Sequence, residues 1–374
     1  MVACLVTNIP APYRLPVYDL LPKAEFSVIF CARREKNRQW QLPELSFQHE
    51  FLSERVTAAS DGFNYRHNNP DVWSVLNRLR PRVVITTGFN PTHLYAFAWA
   101  KLRGASHISM TDGTTASEAG LSRKHRLLRR FVFSGTDAYI AASSGGRALY
   151  GSYGVDDESV FQSHLCADNM HFAAHASNTN RPYDVMFSGR FHEGKLPFFF
   201  VDVCQSIKHR RGECKALLIG DGPLKDQVLM QLSQAGIDFE YPGFVQQGDL
   251  PYWYSRAKVF LFPTRLDSWG VVANEAMAAG TPVITSSTAG VAGALVIDGV
   301  TGFVLPPQAD EWANLACQLI DQPDLWSAYS LAGQLNVAEY NYQAAADGIL
   351  KACQYTLEKK RKTHAFFFDD KQSS

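Results

Sequence analysis

The chain carries no excess of either charge. Its 36 basic and 36 acidic residues leave it formally neutral. Nothing global therefore points to nucleic acid, whose recognition calls for a basic domain or stripe. No apolar run reaches the ~18 residues that a membrane-crossing helix needs. Cysteine is sparse and unpatterned: Cys4, Cys31, Cys166, Cys204, Cys214, Cys317 and Cys353 form no C-x-x-C pair. An odd, scattered set argues against a disulfide framework or a zinc site and reads as reduced, buried thiols of a cytosolic protein. No convincing Asp-x-Asp metal motif is present, since Asp156 and Asp157 are adjacent. No secretory leader is expected, because residues 1–6 read as a strand closed by Asn8 and Pro10.

What is present is enough apolar residue, 46% of 374 positions, to build two cores. Short apolar runs alternate with helical patterns from the start. Residues 1–7, 26–31, 83–87 and 107–110 read as strands, and Pro10, Pro12 and Pro16 stiffen the first loop. Residues 137–144 read as a strand leading into a helix cap. Residues 40–63 carry no assignable pattern. Residues 173–182 are small and polar and read as a linker. The alternation then restarts at Tyr183, with strands at 183–188, 215–219, 259–262 and 283–285. Such alternation predicts α/β architecture with parallel sheets. The expected domains are 1–175 and 176–353, followed by a terminal segment, 354–374. The tail from Lys359 to Ser374 reads as solvated.

The most informative stretch is 262–282, F-P-T-R-L-D-S-W-G-V-V-A-N-E-A-M-A-A-G-T-P. A buried strand ends at Phe262, a polar loop follows, and a helix opens near Gly270 and closes at Gly280. The amides of Gly270, Val271 and Val272 are then free donors at a helix N-terminus, a natural anion site. Asp267 stands just before them. Glu275 lies one turn in, on the face of Val271, among apolar neighbours where a carboxylate needs a partner or a ligand. Asp267 by itself is also a plain helix-dipole partner.

This stretch resembles the E-x7-E signature of retaining glycosyltransferases of the GT-B fold, with Asp267 in the first acidic position and Ser268-Trp269-Gly270 where the family has Gly/Pro-Phe-Gly. The resemblance extends to Gly189-Arg190 with Lys195, to the turn Gly220-Asp221-Gly222-Pro223, and to Asp298-Gly299 through Gly302 as a closing hairpin. Gly293-Ala294 replaces the family's Pro-Glu. It implies two Rossmann-like doubly wound domains facing across a cleft, the second holding a nucleotide-diphosphate sugar and the first an acceptor. It also implies that residues 161–172 hold the first domain's last strand and its exit, and that the segment 354–374 crosses back to that domain. It implies Arg190 and Lys195 as the pair that neutralises the departing diphosphate, without a metal or other cofactor. Asp267 would contact the sugar. Glu275 would bind the ribose hydroxyls, with Gly189, Val245, Ser268, Trp269, Gly270, Val271 and Val272 lining the donor site. The expected partners are the donor and a glycan or lipid-linked acceptor.

Arg14, in a Pro-x-Pro-Tyr-Arg loop, and Asp112, in a loop after a strand, are the acceptor-side candidates; a solvated arginine and a turn-shaping aspartate are the plain alternatives. Residues 123–131 form a basic run in which Leu127, Leu128 and Phe131 share a helical face. That pattern suits contact with an anionic membrane surface, or simply a solvated face on a core helix. The rival functions are an epimerase of the same fold and a non-catalytic nucleotide-sugar-binding subunit.

Overall fold

The computed structural model describes residues 1–58, 65–177 and 180–369, with side chains through residue 361. The chain divides into two compact units. One holds Met1–Leu165 together with the chain from Tyr342 onward; the other is Cys166–Asn341.

The first unit contains strands β1 (Ala3–Thr7), β2 (Phe26–Phe30), β3 (His49–Phe51), β4 (Val56–Ala58), β5 (Tyr65–His67), β6 (Val83–Thr86), β7 (Ser106–Thr111), β8 (Ala138–Ala141) and β9 (Val160–Gln162). Seven of them make one parallel sheet in the order β3-β2-β1-β6-β7-β8-β9, and β4 and β5 pair separately and antiparallel. The unpatterned region 40–63 thus holds two strands of three residues, too short to show a period; residues 59–64 lie outside those described. The central strands are buried on both faces, as continuous apolar runs such as Val83-Val84-Ile85 require in a parallel sheet.

The second unit contains β10 (Tyr183–Ser188), β11 (Lys215–Ile219), β12 (Asp238–Gly243), β13 (Ala257–Phe262), β14 (Val283–Ser286) and β15 (Gly302–Leu305), in the order β12-β11-β10-β13-β14-β15. All neighbours run parallel. Phe187, Phe191, Phe200, Leu218, Val259 and Trp312 belong to its core. The segment after Asp298 is not a hairpin: β15 pairs with β14 in parallel, and the long connection between them, residues 287–301, ends in a tight turn at residues 297–301.

Residues 325–357 form two helices, Pro323–Val337 and Tyr342–Asp369, separated at Asn341. The second enters the first unit from its first residue and not from about Gln354. Ala345, Ala346, Ile349, Ala352 and Cys353 are its buried face against β8 and β9. Gly348 allows this seat, because a β-carbon there would run into the Gln162 carbonyl. The solvated reading of the tail beyond residue 369 falls outside the described residues. Helix Asn169–Ala173 belongs to the second unit, where Asn169 Nδ2 donates to the carbonyls of Val337 and Tyr340 at 2.8 and 3.1 Å. All seven cysteines are free thiols. Among the described residues no helix is long and apolar enough to cross a membrane.

Candidate functional site

In the second unit the strand order reverses direction beside β10. One crossover leads to β11 and β12, and the other places β13, β14 and β15 on the opposite side. A crevice opens outside the carboxyl ends of the strands at such a switch point. Three loops line it, those that follow β10, β11 and β13.

Backbone bonds fix these loops to one another. The Gly189 amide donates to the Ile219 carbonyl at 3.0 Å, Phe191 to Asp221 at 2.9 Å, and Leu224 to Phe191 at 3.1 Å. Gly220 sits at φ 127°, where a β-carbon would strike the Gly189 carbonyl. On the other side, the Gly194 carbonyl accepts from Arg265 N and from Thr264 Oγ1, both at 2.9 Å. The loop after β13 is held in turn by the loop after β14: Gly290 N donates to the Asp267 carbonyl at 2.8 Å and Val291 N to Trp269 at 3.0 Å. A rigid frame of this kind carries its side chains at small reorganisation cost.

Lys195 and Asp267 meet in this frame as an ion pair, with side chains 22% and 20% exposed. The Lys195 ammonium lies 5.0 Å from the centroid of the Phe262 ring. Asp267 Oδ1 accepts from Trp269 N at 3.0 Å, which fixes the carboxylate. An ammonium has three donors, so Lys195 keeps two for a ligand while Asp267 holds it. Arg190, half-buried, stands close enough to His192 to act on it electrostatically, as do Lys195 and Asp267. Burial, then Lys195 and Arg190, lowers the His192 pKa, with Asp267 and Glu193 opposing. His192 Nδ1 accepts from Gly194 N at 3.1 Å and caps the short 3-10 turn Glu193–Lys195. Sequence reasoning missed His192, although it lies between two singled-out cations.

Glu275 is 6% exposed on helix Val271–Ala278. Tyr254 Oη donates to its Oε2 at 2.8 Å. Burial raises the carboxyl pKa to about 7, while the bond from Tyr254 pulls it down. The Tyr254 hydroxyl also bonds to the Ser188 side chain at the end of β10, and burial followed by Glu275 pushes its own pKa well up. The partner that an acid in this apolar helix requires is therefore Tyr254, a residue the sequence reading did not single out.

Trp269 needs a correction as a donor-lining residue. Its ring is 1% exposed, its Nε1 donates to Asn274 Oδ1 at 2.9 Å, and it packs on Tyr340 with centroids 5.5 Å apart. The side chain belongs to the interior, because the Gly270 conformation turns the chain so that position 269 points inward. Gly270 has φ 108°, and a β-carbon there would collide with the Phe262 ring. Val271 and Val272 follow, half-buried, at the helix N-terminus. Ser268 is half-buried on the same loop. Val245 lies in the loop that follows β12, the edge strand of this sheet.

The acceptor-side candidates meet within the first unit. Arg14 is 5% exposed, so it is no solvated loop residue. It donates to Asp112 Oδ1 at 2.6 Å and to the Ser163 and His164 carbonyls at 3.3 Å. Both line a cavity of about 170 Å³ at the carboxyl ends of β1 and β7, walled also by Tyr13 and Trp40. The basic run forms helix Arg123–Ser134, with Leu127 and Phe131 64% and 65% exposed and Arg129 paired with Glu118 at 2.8 Å. Among the described residues no group of three or more His, Cys, Asp or Glu is placed to hold a metal ion.

Residues 182–322 match the family model described as "Glycosyl transferases group 1". Those residues belong to that family. The glycosyltransferase segment contains Arg190, His192, Lys195, Asp267 and Glu275, whereas Arg14 and Asp112 lie outside it. The chain is 27% identical over 268 residues to the alpha-D-kanosaminyltransferase of Streptomyces kanamyceticus, across 69% of this chain and 62% of that enzyme. It is 28% identical over 190 residues to the D-inositol 3-phosphate glycosyltransferase of an Arthrobacter species, across 49% and 45% of the two chains. The chain thus spans roughly half the length of these curated relatives. Anabaena HepE, solved in complex with UDP, superposes with a TM-score of 0.76 at 15% identity, covering 95% of this chain and all of that one. At such identity the likeness shows the fold, which is GT-B.

Proposed function

We propose that this protein is a retaining glycosyltransferase that moves a sugar from a nucleotide-diphosphate sugar to a hydroxyl of a glycan or lipid-linked acceptor. The single observation that carries the reading is the Lys195–Asp267 pair with Arg190 and His192 at the switch point, inside the family segment. Support comes also from HepE, whose structure holds UDP on the same fold.

In the proposed reaction the bond from the anomeric carbon to the diphosphate oxygen breaks, and a bond from that carbon to the acceptor oxygen forms on the same face. The acceptor proton passes to the departing phosphate. Negative charge grows on that phosphate, so fixed cations lower the barrier more than they aid ground-state binding. Lys195 supplies two free donors, Arg190 a planar fork, and the amides of Val271 and Val272 the positive end of a helix. Asp267 holds Lys195 in place and faces the sugar hydroxyls. Glu275, with one oxygen engaged by Tyr254, offers the other to the ribose hydroxyls. The first unit takes the acceptor, with Arg14 and Asp112 as its polar contacts.

The test incubates the purified full chain with a panel of nucleotide sugars and measures thermal stabilisation and donor hydrolysis. A ligand bound at a hundred times its Kd adds about 2.7 kcal/mol to apparent stability. Stabilisation by one donor, with slow hydrolysis that Lys195→Ala abolishes, supports the reading. Release of an isomerised free sugar would make the protein an epimerase, saturable binding without turnover a binding subunit, and no response to any donor would defeat the assignment.

A further inference from the structure

The amino ends of the first unit's strands, opposite the edge that carries Arg14 and Asp112, enclose a cavity of about 900 Å³. Its walls bring together Arg80, Arg82, Arg103, Lys360 and Arg361. They come from three separate places in the sequence. Arg80 ends helix Val72–Leu79 and Arg82 directly precedes β6. Arg103 lies between helix Pro91–Leu102 and β7, and the last two cations ride on helix Tyr342–Asp369.

Among the described residues no carboxylate lines this cavity. Among the described residues Arg80, Arg82, Arg103 and Arg361 pair with no acid, and Lys360 Nζ donates to the Gly104 carbonyl at 2.5 Å. The neighbouring acid, Asp137, is already taken by Lys101 at 3.0 Å and by the His107 amide at 2.8 Å. Burial lowers the Lys360 pKa; Asp137 opposes this, while Lys101 and Arg82 add repulsion. A neutral chain with as many acids as bases has segregated five cations into one concavity. Mutual repulsion makes that arrangement unfavourable unless an anion offsets it.

Arg80 adds a second observation. It adopts φ 47° and ψ 54° at the helix end, a left-handed conformation that glycine takes without strain and a residue with a β-carbon does not. The sequence accepts that strain and keeps a guanidinium at the cavity wall, which is the kind of outlier that points to use. Trp99 closes the back of the cavity with its Nε1 bonded to Asn77 Oδ1 at 2.9 Å, so it is a wall and not a stacking partner. Guanidinium forks match phosphate oxygens two at a time, and four of them with one ammonium exceed what one phosphate neutralises.

We propose that this cavity binds a ligand bearing at least two phosphate groups, free in solution or on a lipid headgroup. Leu102, which directly precedes Arg103 in the chain, is 75% exposed and offers apolar surface to a lipid source. The site is separate from the donor reading and stands whether or not that reading holds.

The test uses the full chain and the double variant Arg82→Gln/Arg103→Gln, whose side chains are exposed and make no bond among the described residues, so that folding is preserved; matching melting curves check this. Calorimetric titration with inorganic pyrophosphate is run on wild type, on the double variant and on Lys195→Ala, which removes a cation of the donor site. Co-sedimentation with cardiolipin vesicles, against phosphatidylcholine vesicles, is run in parallel. Pyrophosphate binding at least about tenfold weaker in the double variant, and unchanged in Lys195→Ala, supports the site with a soluble ligand. Cardiolipin binding that only the double variant loses supports it with a lipid source. Binding equal in wild type and double variant, or no binding in either arm, overturns it.

Discussion

Replacing Glu275 by glutamine should change how stability depends on pH more than it changes the fold. Glutamine keeps the shape and an oxygen that accepts from Tyr254 Oη, the bond of 2.8 Å in the wild type. It removes only the ionisation. In the folded protein burial raises the Glu275 pKa from 4.5 to about 7. The folded state therefore keeps a proton that the unfolded chain releases as pH climbs through 4.5. Stability from this group is complete below that value and is lost as pH rises through about 7. At 1.36 kcal/mol for each pH unit between the two values, the loss reaches about 3 kcal/mol at pH 8 and only about 1 kcal/mol at pH 5. The group is 6% exposed, so solvent screening reduces this little. Urea denaturation of wild type and Glu275→Gln at intervals from pH 5 to 8 measures it. The variant should gain about 2 kcal/mol on the wild type across that range. A constant offset added to that pH-dependent gain reflects packing alone. Two parallel stability curves would refute the reasoning and show that Glu275 ionises freely.

Three further outcomes are expected. Lys195→Ala should reduce transfer at least about a hundredfold, the scale of losing one fixed transition-state donor, while costing no more than about 1 kcal/mol of stability for a partly exposed pair; product formation and the melting temperature check the two halves. Gly270→Ala should destabilise by about 1–3 kcal/mol in urea, because φ 108° and the Phe262 ring leave no place for a β-carbon. Gly348→Ala should loosen helix Tyr342–Asp369 from β9, seen as faster amide exchange in residues 342–353 and in β9, with no comparable change in the second unit.

The parallel architecture was legible because doubly buried strands are continuous apolar runs, as in Val83-Val84-Ile85 and Phe260-Leu261-Phe262. The helix after Asp267 was legible from Gly270 and Gly280 at its ends, and the structure places it at Val271–Ala278. The strands His49–Phe51 and Val56–Ala58 were not, since three residues carry no measurable alternation. Trp269 was misread because its place in a loop motif says nothing about which way its ring turns. Its buried bond to Asn274 decides that.

Sequence alone determined what depends on near neighbours: strand and helix periods, glycine at left-handed turns, and the spacing of Asp267 from Glu275. Tertiary structure alone decided which distant side chains share a space. Lys195 and Asp267, 72 positions apart, become partners only because β10 and β13 lie side by side. Tyr254 reaches Glu275, and five cations converge at one end of a sheet, for the same reason. Strand order is set by the packing of the whole core and not by any local run, so charge pairing across it has no signature in the residues on either side.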